Sequence, residues 1–572
     1  MAETYDVVVI GSGFGGPVAA KKCADAGLQT LMIERSTAVG EKVISGLTIP
    51  IYGFLFGPDF IRDGNPPFER PADGIINYII TDIDRGKIDI DDTLRVPRPL
   101  SPVIAFGYNT YCKPFCQWEA ETAVRSGVTL RTSTTVVDVI RENGKVAGVV
   151  LEKGERIFAK IVIDAEGSQG LVAIKAGIRR KYPPEAISLA DTYDYEMPKS
   201  GVDEIFGYSL RFCWGWDEQK IAPPLGHGNG LMVWPYRDSV HFMQDHCLRL
   251  DDGQVPNLKK RFREYHDNIT SKLPWWREKV APRSTLRAHL WEGFEIYVGL
   301  DPSLRDMPNH DDGIILIGDV AGLESTELCD GVPAAWFSAD IAADVAIAAI
   351  RGGDTSKAFL KRYDDRIRNH AVIQWSISAR NRFNLRFAQQ QKDPRLLKHY
   401  IHHGWGMGQL TASLTPILKT TFQFIGEDAT VITRWIRMFF RYYQNWIYAA
   451  YDFNGREDRA FDKQSRPRHG EALFRLFVGG LDRLLNLFRP QVQQLVKAGY
   501  SLADLANPLM KILLPVIRPL YLGLRRPLGP LGERLSEGLI RFVRDADPTL
   551  FQTPERGTGA GPGKTVDERG GK

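Results

Sequence analysis

Residues 5–35 read YDVVVIGSGFGGPVAAKKCADAGLQTLMIER, and this stretch decides the fold. A β-branched run, Val7 to Ile10, meets Gly11, Gly13 and Gly16 in the G-x-G-x-x-G spacing. An Ala-rich helix to Gly27 and a second strand ending in Glu34 and Arg35 follow, completing a βαβ unit. The first glycine permits a tight turn, the second lets backbone amides approach a pyrophosphate, and the third lets helix pack closely on strand. The helix N-terminus then faces the anion, and Glu34 is placed to accept hydrogen bonds from an adenosine ribose, with Arg35 beside it. The expectation is dinucleotide binding.

Two distant pieces belong with this unit. The run DDGIILIGDVAGLESTELCDGVPAAWFSADIAADVAIAAI, residues 311–350, is an apolar strand that delivers Gly318 and Asp319. After a loop, a small-residue helix starts around Gly331 to Pro333. Asp319 can hold a ribityl hydroxyl, and amides near Gly331 and Val332 can stabilise negative charge on a reduced flavin ring. Between the two ends, AKIVIDAEGSQGLVAIKAGI supplies a further strand with Asp164, Gly167 and Ser168. One nucleotide-binding domain is thus completed by dispersed segments of the first 350 residues.

Together the pieces VVVIGSGFGG…MIER, KVISGLTIP, IDAEGSQG, AHLWEGFE and LIGDVAG…CDGVPAAWFSADIAA resemble one flavoprotein family. It groups geranylgeranyl reductases, FixC-type proteins and electron-transfer-flavoprotein:quinone oxidoreductases, all FAD-dependent. The resemblance covers roughly residues 5–350. It implies that KVISGLTIP, residues 42–50, runs beside the isoalloxazine, making Ser45 and Gly46 candidate contacts. In YCKPFCQW, residues 111–118, it implies a cofactor contact at Lys113, where relatives commonly carry arginine. A reactive Cys112 or Cys116 near the flavin is a lesser implication, since related prenyl reductases use a cysteine there.

The implied fold class is α/β: a Rossmann-type FAD-binding domain with an inserted antiparallel-sheet substrate domain, plus a helical C-terminal region. The expected boundaries are 1–181 and 285–352 for the FAD domain and 182–284 for the roof sheet. A helical region at 353–465, a basic amphipathic helical region at 466–550 and a disordered tail at 551–572 follow. In the roof, EIFGYSLRFCWGW and GNGLMVWPYRDSVHFMQD are aromatic and β-branched runs broken by Gly and Pro, as short strands are. Trp214, Trp216, Trp234, Tyr236 and Trp291 are candidates to line an apolar substrate site there, though each also suits an ordinary core.

No acid or base stands out. His241, His246 and His289 have no carboxylate at a telling spacing, which fits chemistry carried by the flavin. His399, His402 and His403 sit at helical spacing without a carboxylate or thiol, and Cys112 and Cys116 lack further ligands, so no metal is expected. The six cysteines form no disulfide framework, and no secretory leader opens the chain. A net charge of +4 in 572 residues gives no ground for nucleic-acid binding.

Past residue 353, an Asp354 N-cap and apolar residues at three and four spacing predict helix. Residues 431–453 place Arg434, Arg437 and Arg441 on one face among Trp435, Phe439, Tyr442 and Trp446. From 466 to 547, thirteen Lys or Arg face seven Asp or Glu, a local excess larger than the whole chain's net charge. No window there reaches the roughly 18 apolar residues of a membrane span. Basic amphipathic helices can lie on an anionic bilayer, and they can equally pack inward or on a partner. The expected location is cytoplasmic, on the inner face of the membrane.

The family's quinone oxidoreductases hold an iron–sulfur cluster on C-terminal cysteines; here no cysteine follows Cys329. The leading expectation is a FixC-like flavoprotein that passes electrons from a partner flavoprotein or apolar donor to a membrane quinone. The alternative is reduction of C=C bonds in an isoprenoid or other lipid. Flavin-dependent hydroxylation or halogenation ranks lower because the halogenase WxWxIP pattern is absent, and an idle membrane adaptor ranks lowest because Glu34, Asp164 and Asp319 are intact.

Overall fold

In the computed structural model the glycine motif joins β1 (Glu3–Ile10) to α1 (Gly16–Asp25), which returns the chain to β2 (Thr30–Ile33). The structure describes residues 3–370 apart from 42–45, 51–52, 54–56, 96–106, 181–186, 216–230, 248–257, 296–306 and 324–330. Ser45, Trp216, the histidines at 399–403, the helical region beyond 370, the basic region and the tail lie outside the described residues. Val7, Val8 and Val9 are fully buried in β1. The small residues Ala19, Ala20 and Cys23 let α1 lie close against the sheet.

The chain continues through β3 (Gly46–Pro50), β4 (Arg70–Ala72), β5 (Gly74–Asp82), β6 (Lys87–Arg95) and β7 (Gly107–Tyr111) into α2 (Cys112–Arg125) and β8 (Thr129–Arg131). A hairpin, β9 (Val136–Glu142) and β10 (Lys145–Leu151), turns on Asn143 and Gly144. Both residues have positive φ, as a two-residue turn of this hand requires. The hairpin leads into β11 (Arg156–Asp164).

Next come β12 (Ile187–Glu196), β13 (Ser209–Gly215), β14 (Leu231–Pro235), β15 (Ser239–Cys247), α3 (Leu258–Lys272) and β16 (Thr285–Glu295). β17 (His310–Asp311), β18 (Ile314–Leu316), α4 (Val332–Gly352) and α5 (Lys357–Asn369) complete the described chain. Ser356 caps α5 by accepting from the Phe359 amide, while Asp354 accepts from the Ser356 amide. The expected Asp354 cap is therefore displaced by two residues. Among the described residues α4 is long and apolar enough to cross a membrane. Its Trp336, Ala339, Ala342, Ala343, Ala346 and Ala349 are buried, as in a core helix.

The described residues form three sheets. The first runs β17-β18-β11-β1-β2-β8, with the β9–β10 hairpin paired to the start of β11. Its central strands are parallel, and β18 returns to lie beside β11 after the whole second sheet has been made. The second runs β16-β12-β15-β14-β13-β5-β6 and the third β3-β7-β4. The second sheet differs from the expected insertion in two respects. It takes β5–β6 from the first segment and β16 from beyond residue 284, and its β13–β5 pair is parallel. Hydrogen bonding explains the recruitment: β13 and β12 would otherwise expose unpaired backbone edges.

One face of the second sheet carries Tyr193, Val233 and Phe242, over which lie α3 with His266 and the turn bearing Trp276. The opposite face carries Asp194, Ser239 and His241, and meets Tyr111 at the end of β7. Arg70, 1% exposed, fastens the third sheet to the second. Its guanidinium donates to the Tyr236 and Gly207 carbonyls at 2.9 and 2.7 Å and to Asp203 at 2.7 Å.

Candidate functional site

Parallel pairing aligns the C-terminal ends of the central strands. Ile10 stands in register with Ile33 on one side and Asp164 on the other, and Asp164 with Leu316 beyond. Gly11, Glu34, Ala165 and the loop opening at Gly318 therefore form one row at the edge where such sheets bind ligands.

The glycines do what their spacing requires. Gly11 has φ +93°, and a Cβ there would fall 2.4 Å from the Ala165 carbonyl oxygen. At Gly16 a methyl group would lie 2.0 Å from the Gly11 oxygen, so helix and turn touch backbone to backbone. Around Gly13, by contrast, nothing stands within 4 Å of the Cβ position. That open space before the first turn of α1 is the cradle a pyrophosphate needs. Glu34 Oε2 accepts from the Ser12 amide and hydroxyl at 3.1 and 2.7 Å, and Oε1 from the Ser36 amide at 2.9 Å, so its carboxylate is fixed at the rim. Arg35 reaches across to Gln169 at 2.5 Å.

Asp164 is fully buried; burial, then the neighbouring Glu166 charge, push its carboxyl well above the usual range. One of its oxygens accepts the Glu166 amide at 3.0 Å, and the other has no partner. Gly167 and Asp319 come together from different strand ends, with a Cβ position and a carboxylate oxygen 3.8 Å apart. Gly318 donates its amide to Ser338 of α4 at 3.1 Å, and Gly331 is the N-cap of α4, with Val332 and Pro333 in its first turn. A long helix thus directs its first amides toward the same edge. The open cradle, the fixed Glu34 and the unmatched Asp164 oxygen fit a dinucleotide. FAD bound here would be held by these residues.

Gly46 begins β3 opposite Tyr111, and a Cβ on it would lie 1.8 Å from the Tyr236 hydroxyl. Lys113 lies in the first turn of α2, its backbone against Gly40 and its side chain exposed. Cys112 and Cys116 are fully buried, and burial pushes the Cys116 thiol well up, against thiolate formation there. Among the described residues no His, Cys, Asp and Glu group could hold a metal.

Sequence spacing missed the polar face of the second sheet. His241 does have a carboxylate partner: Asp194, directly opposite on β12, with Nε2 and Oδ1 3.1 Å apart. His289 likewise pairs with Asp191. Arg287 donates to Asp194 at 2.7 Å and to the Tyr111 hydroxyl at 2.8 Å, and Tyr111 also bonds Ser239. Burial alone would raise Asp194, but hydrogen bonds from His241 and Arg287 hold its carboxyl below the usual range. The signal was two aspartates in the aromatic strand DTYDYE, which a half-buried sheet tolerates only when they are paired.

Of the candidate aromatic lining, Trp234 pairs with His241 and Tyr236 packs on it, both buried on the Tyr111 side. Trp291 lies on the other face, against Phe262 of α3 and His289. Of the side chains of Trp214 and His246 nothing is described.

A family model described as FAD dependent oxidoreductase matches residues 6–311. Digeranylgeranylglycerophospholipid reductase of Methanosphaerula palustris is 26% identical over 395 residues, covering 66% of this chain and 83% of that protein. Protein FixC of Salmonella typhi is 25% identical over 381 residues, covering 63% of this chain and 81% of its own. A geranylgeranyl bacteriochlorophyll reductase-like protein from Thermoplasma acidophilum shares the fold with a TM-score of 0.53 and 22% identity, over 67% of this chain and 88% of that one.

Proposed function

The chain belongs to the FAD-dependent oxidoreductase family, and from that premise we propose that it passes electrons from a partner flavoprotein or apolar donor to a membrane quinone. Bound FAD supplies the redox chemistry, while the chain positions the substrate and excludes competing reactions. The Tyr111-facing side of the second sheet is the observation that supports this reading. Met232, Trp234 and Met243 are buried there beside Thr192 and His241, whose Oγ1 and Nδ1 are buried without partners. The apolar side chains suit a ring or prenyl chain. The two unmatched polar atoms call for an oxygen-bearing partner, which a quinone offers and an isolated alkene does not.

Reduction of C=C bonds in an isoprenoid lipid is the second reading. The relatives named digeranylgeranylglycerophospholipid reductase support it as much as the FixC relatives support the first. The basic amphipathic region at 466–550 is proposed to hold the protein on the cytoplasmic face of an anionic membrane, where either substrate resides.

Photoreducing the flavin and then adding a quinone analogue or a polyprenyl lipid separates the readings. Rapid reoxidation by the quinone alone is expected. Reoxidation by the lipid alone transfers the case to the second reading, and reoxidation only by oxygen points to hydroxylation. Sedimentation with anionic but not neutral liposomes is the expected sign of the membrane contact.

A further inference from the structure

The paired groups on the Tyr111-facing side form a connected set. His241 is 1% exposed, its Nε2 on Asp194 and its Nδ1 without a partner. Asp194 is also held by Arg287, whose side chain is 42% exposed, and by the Tyr111 hydroxyl at 3.3 Å. The set therefore runs from solvent at Arg287 to a buried imidazole nitrogen with nothing to bond. Tyr236 lies against both rings, 4.8 Å from His241 and 4.3 Å from Tyr111 between centroids. Its own hydroxyl makes no hydrogen bond, and burial pushes it well above the usual range, so it is not the group held by Asp194. Cys112 lies near that hydroxyl, and Glu69, flanked by Arg237 and Asp238, supplies the remaining charges facing the set.

We propose that His241 donates the proton to the acceptor reduced at this site, with Asp194, Arg287 and Tyr111 as positioning residues. The inference rests on the quinone reading. A quinone takes up two electrons and two protons on becoming the hydroquinone. Reduced FAD, when bound, would supply both electrons and one of the protons. The second proton leaves Nδ1 of the doubly protonated ring as an O–H bond forms on the quinone oxygen, and the neutral ring keeps its Nε2–H on Asp194. Water entering as the hydroquinone leaves returns the proton to Nδ1. The Nδ1 atom, otherwise buried and unmatched, gains its hydrogen bond when the acceptor binds.

Holoprotein with photoreduced flavin tests this with two acceptors: decylubiquinone, which needs protons, and ferricenium, which takes electrons only. His241→Gln is expected to slow quinone reduction by about 100-fold, within the usual range for a lost general acid, and to leave ferricenium reduction as in the parent. Added imidazole should restore part of the quinone rate. Asp194→Asn is expected to slow the quinone by about 10-fold as a second, conservative variant. Independently of any acceptor, one low-field imidazole N–H proton signal should be lost from both variants, while those of the His289–Asp191 and His310–Asp364 pairs remain. Equal quinone rates in parent and His241→Gln overturn the inference alone, as does an equal loss with both acceptors or an Asp194→Asn spectrum that loses no low-field signal. A parent protein active with ferricenium but not with the quinone overturns the quinone reading and the inference with it.

Discussion

The first and second sheets make their sites in opposite ways. At the edge of the first, the site is backbone: the turn at Gly11, the contact of Gly16 on Gly11 and the open space at Gly13 exist because side chains are missing. On the Tyr111-facing side of the second, the site is side chains meeting across strands, Asp194 on His241 and Arg287 on both Asp194 and Tyr111. A backbone site is set by a few consecutive residues. A side-chain site depends on register, and a one-residue slip would turn Asp194 and His241 to the α3 face.

Substitution should expose this contrast most sharply at the glycines. Gly16→Ala forces a methyl group onto the Gly11 oxygen and is expected to cost about 3 kcal/mol and the bound FAD together. Gly13→Ala meets no atom, so melting of the apoprotein should be unchanged while FAD affinity falls about 100-fold, as it does when a backbone can no longer approach the pyrophosphate. Calorimetry and flavin fluorescence read the pair, and a Gly13→Ala protein that keeps its FAD would place the pyrophosphate elsewhere.

The second sheet's attachment is tested at Arg70. Arg70→Met leaves the Tyr236 and Gly207 carbonyls and Asp203 without their donor, and about 3 kcal/mol should be lost in urea denaturation. An unchanged midpoint would mean that apolar contact alone holds the seam.

A smaller, pH-dependent effect belongs to Glu119 of α2, fully buried beneath α4 and receiving the Trp336 indole N–H at 2.8 Å. Burial pushes its carboxyl well above the usual range, against the hydrogen bond from Trp336. A raised acid contributes stability that is complete below its unfolded value and lost as pH rises through the folded value. Glu119→Gln removes the ionisation, so its advantage in melting temperature over the parent should widen from pH 5 to pH 9; parallel curves would show Glu119 to be ionised already.

Asp194 should give the smallest effect, of opposite sign. Its depressed carboxyl contributes stability present above the ordinary carboxylate value and lost as pH falls through the folded value. The gap in melting temperature between the parent and Asp194→Asn should therefore close as pH drops from 5 to 3. A gap constant over that window would show that the aspartate's charge does not hold His241 and Arg287.

Where the chain's chemistry lies near in sequence, reading was accurate. The βαβ unit and the start of α4 at Val332 both follow from local backbone demands. Asp164, Gly167 and Asp319 were legible as strand-end residues, and parallel pairing brings those ends into one row. Legibility failed wherever a partner lay on another strand. His241 and His289 looked unaccompanied because Asp194 and Asp191 come from β12, and nothing in the sequence said that Trp291 and Trp234 stand on opposite faces of the sheet. The edges of the second sheet were misjudged for the same reason: nothing in β5, β6 or β16 alone names the strand it pairs with.

By itself, then, the sequence determined a dinucleotide-binding α/β domain and its glycine turn, because each rests on what consecutive residues allow a backbone to do, while the flavin class came from the resemblance of dispersed segments to a known family. Tertiary structure decided which histidine has a carboxylate, which thiols are sealed and which aromatics face Tyr111. Those outcomes depend on cross-strand register and burial, and both are set by the whole packed chain.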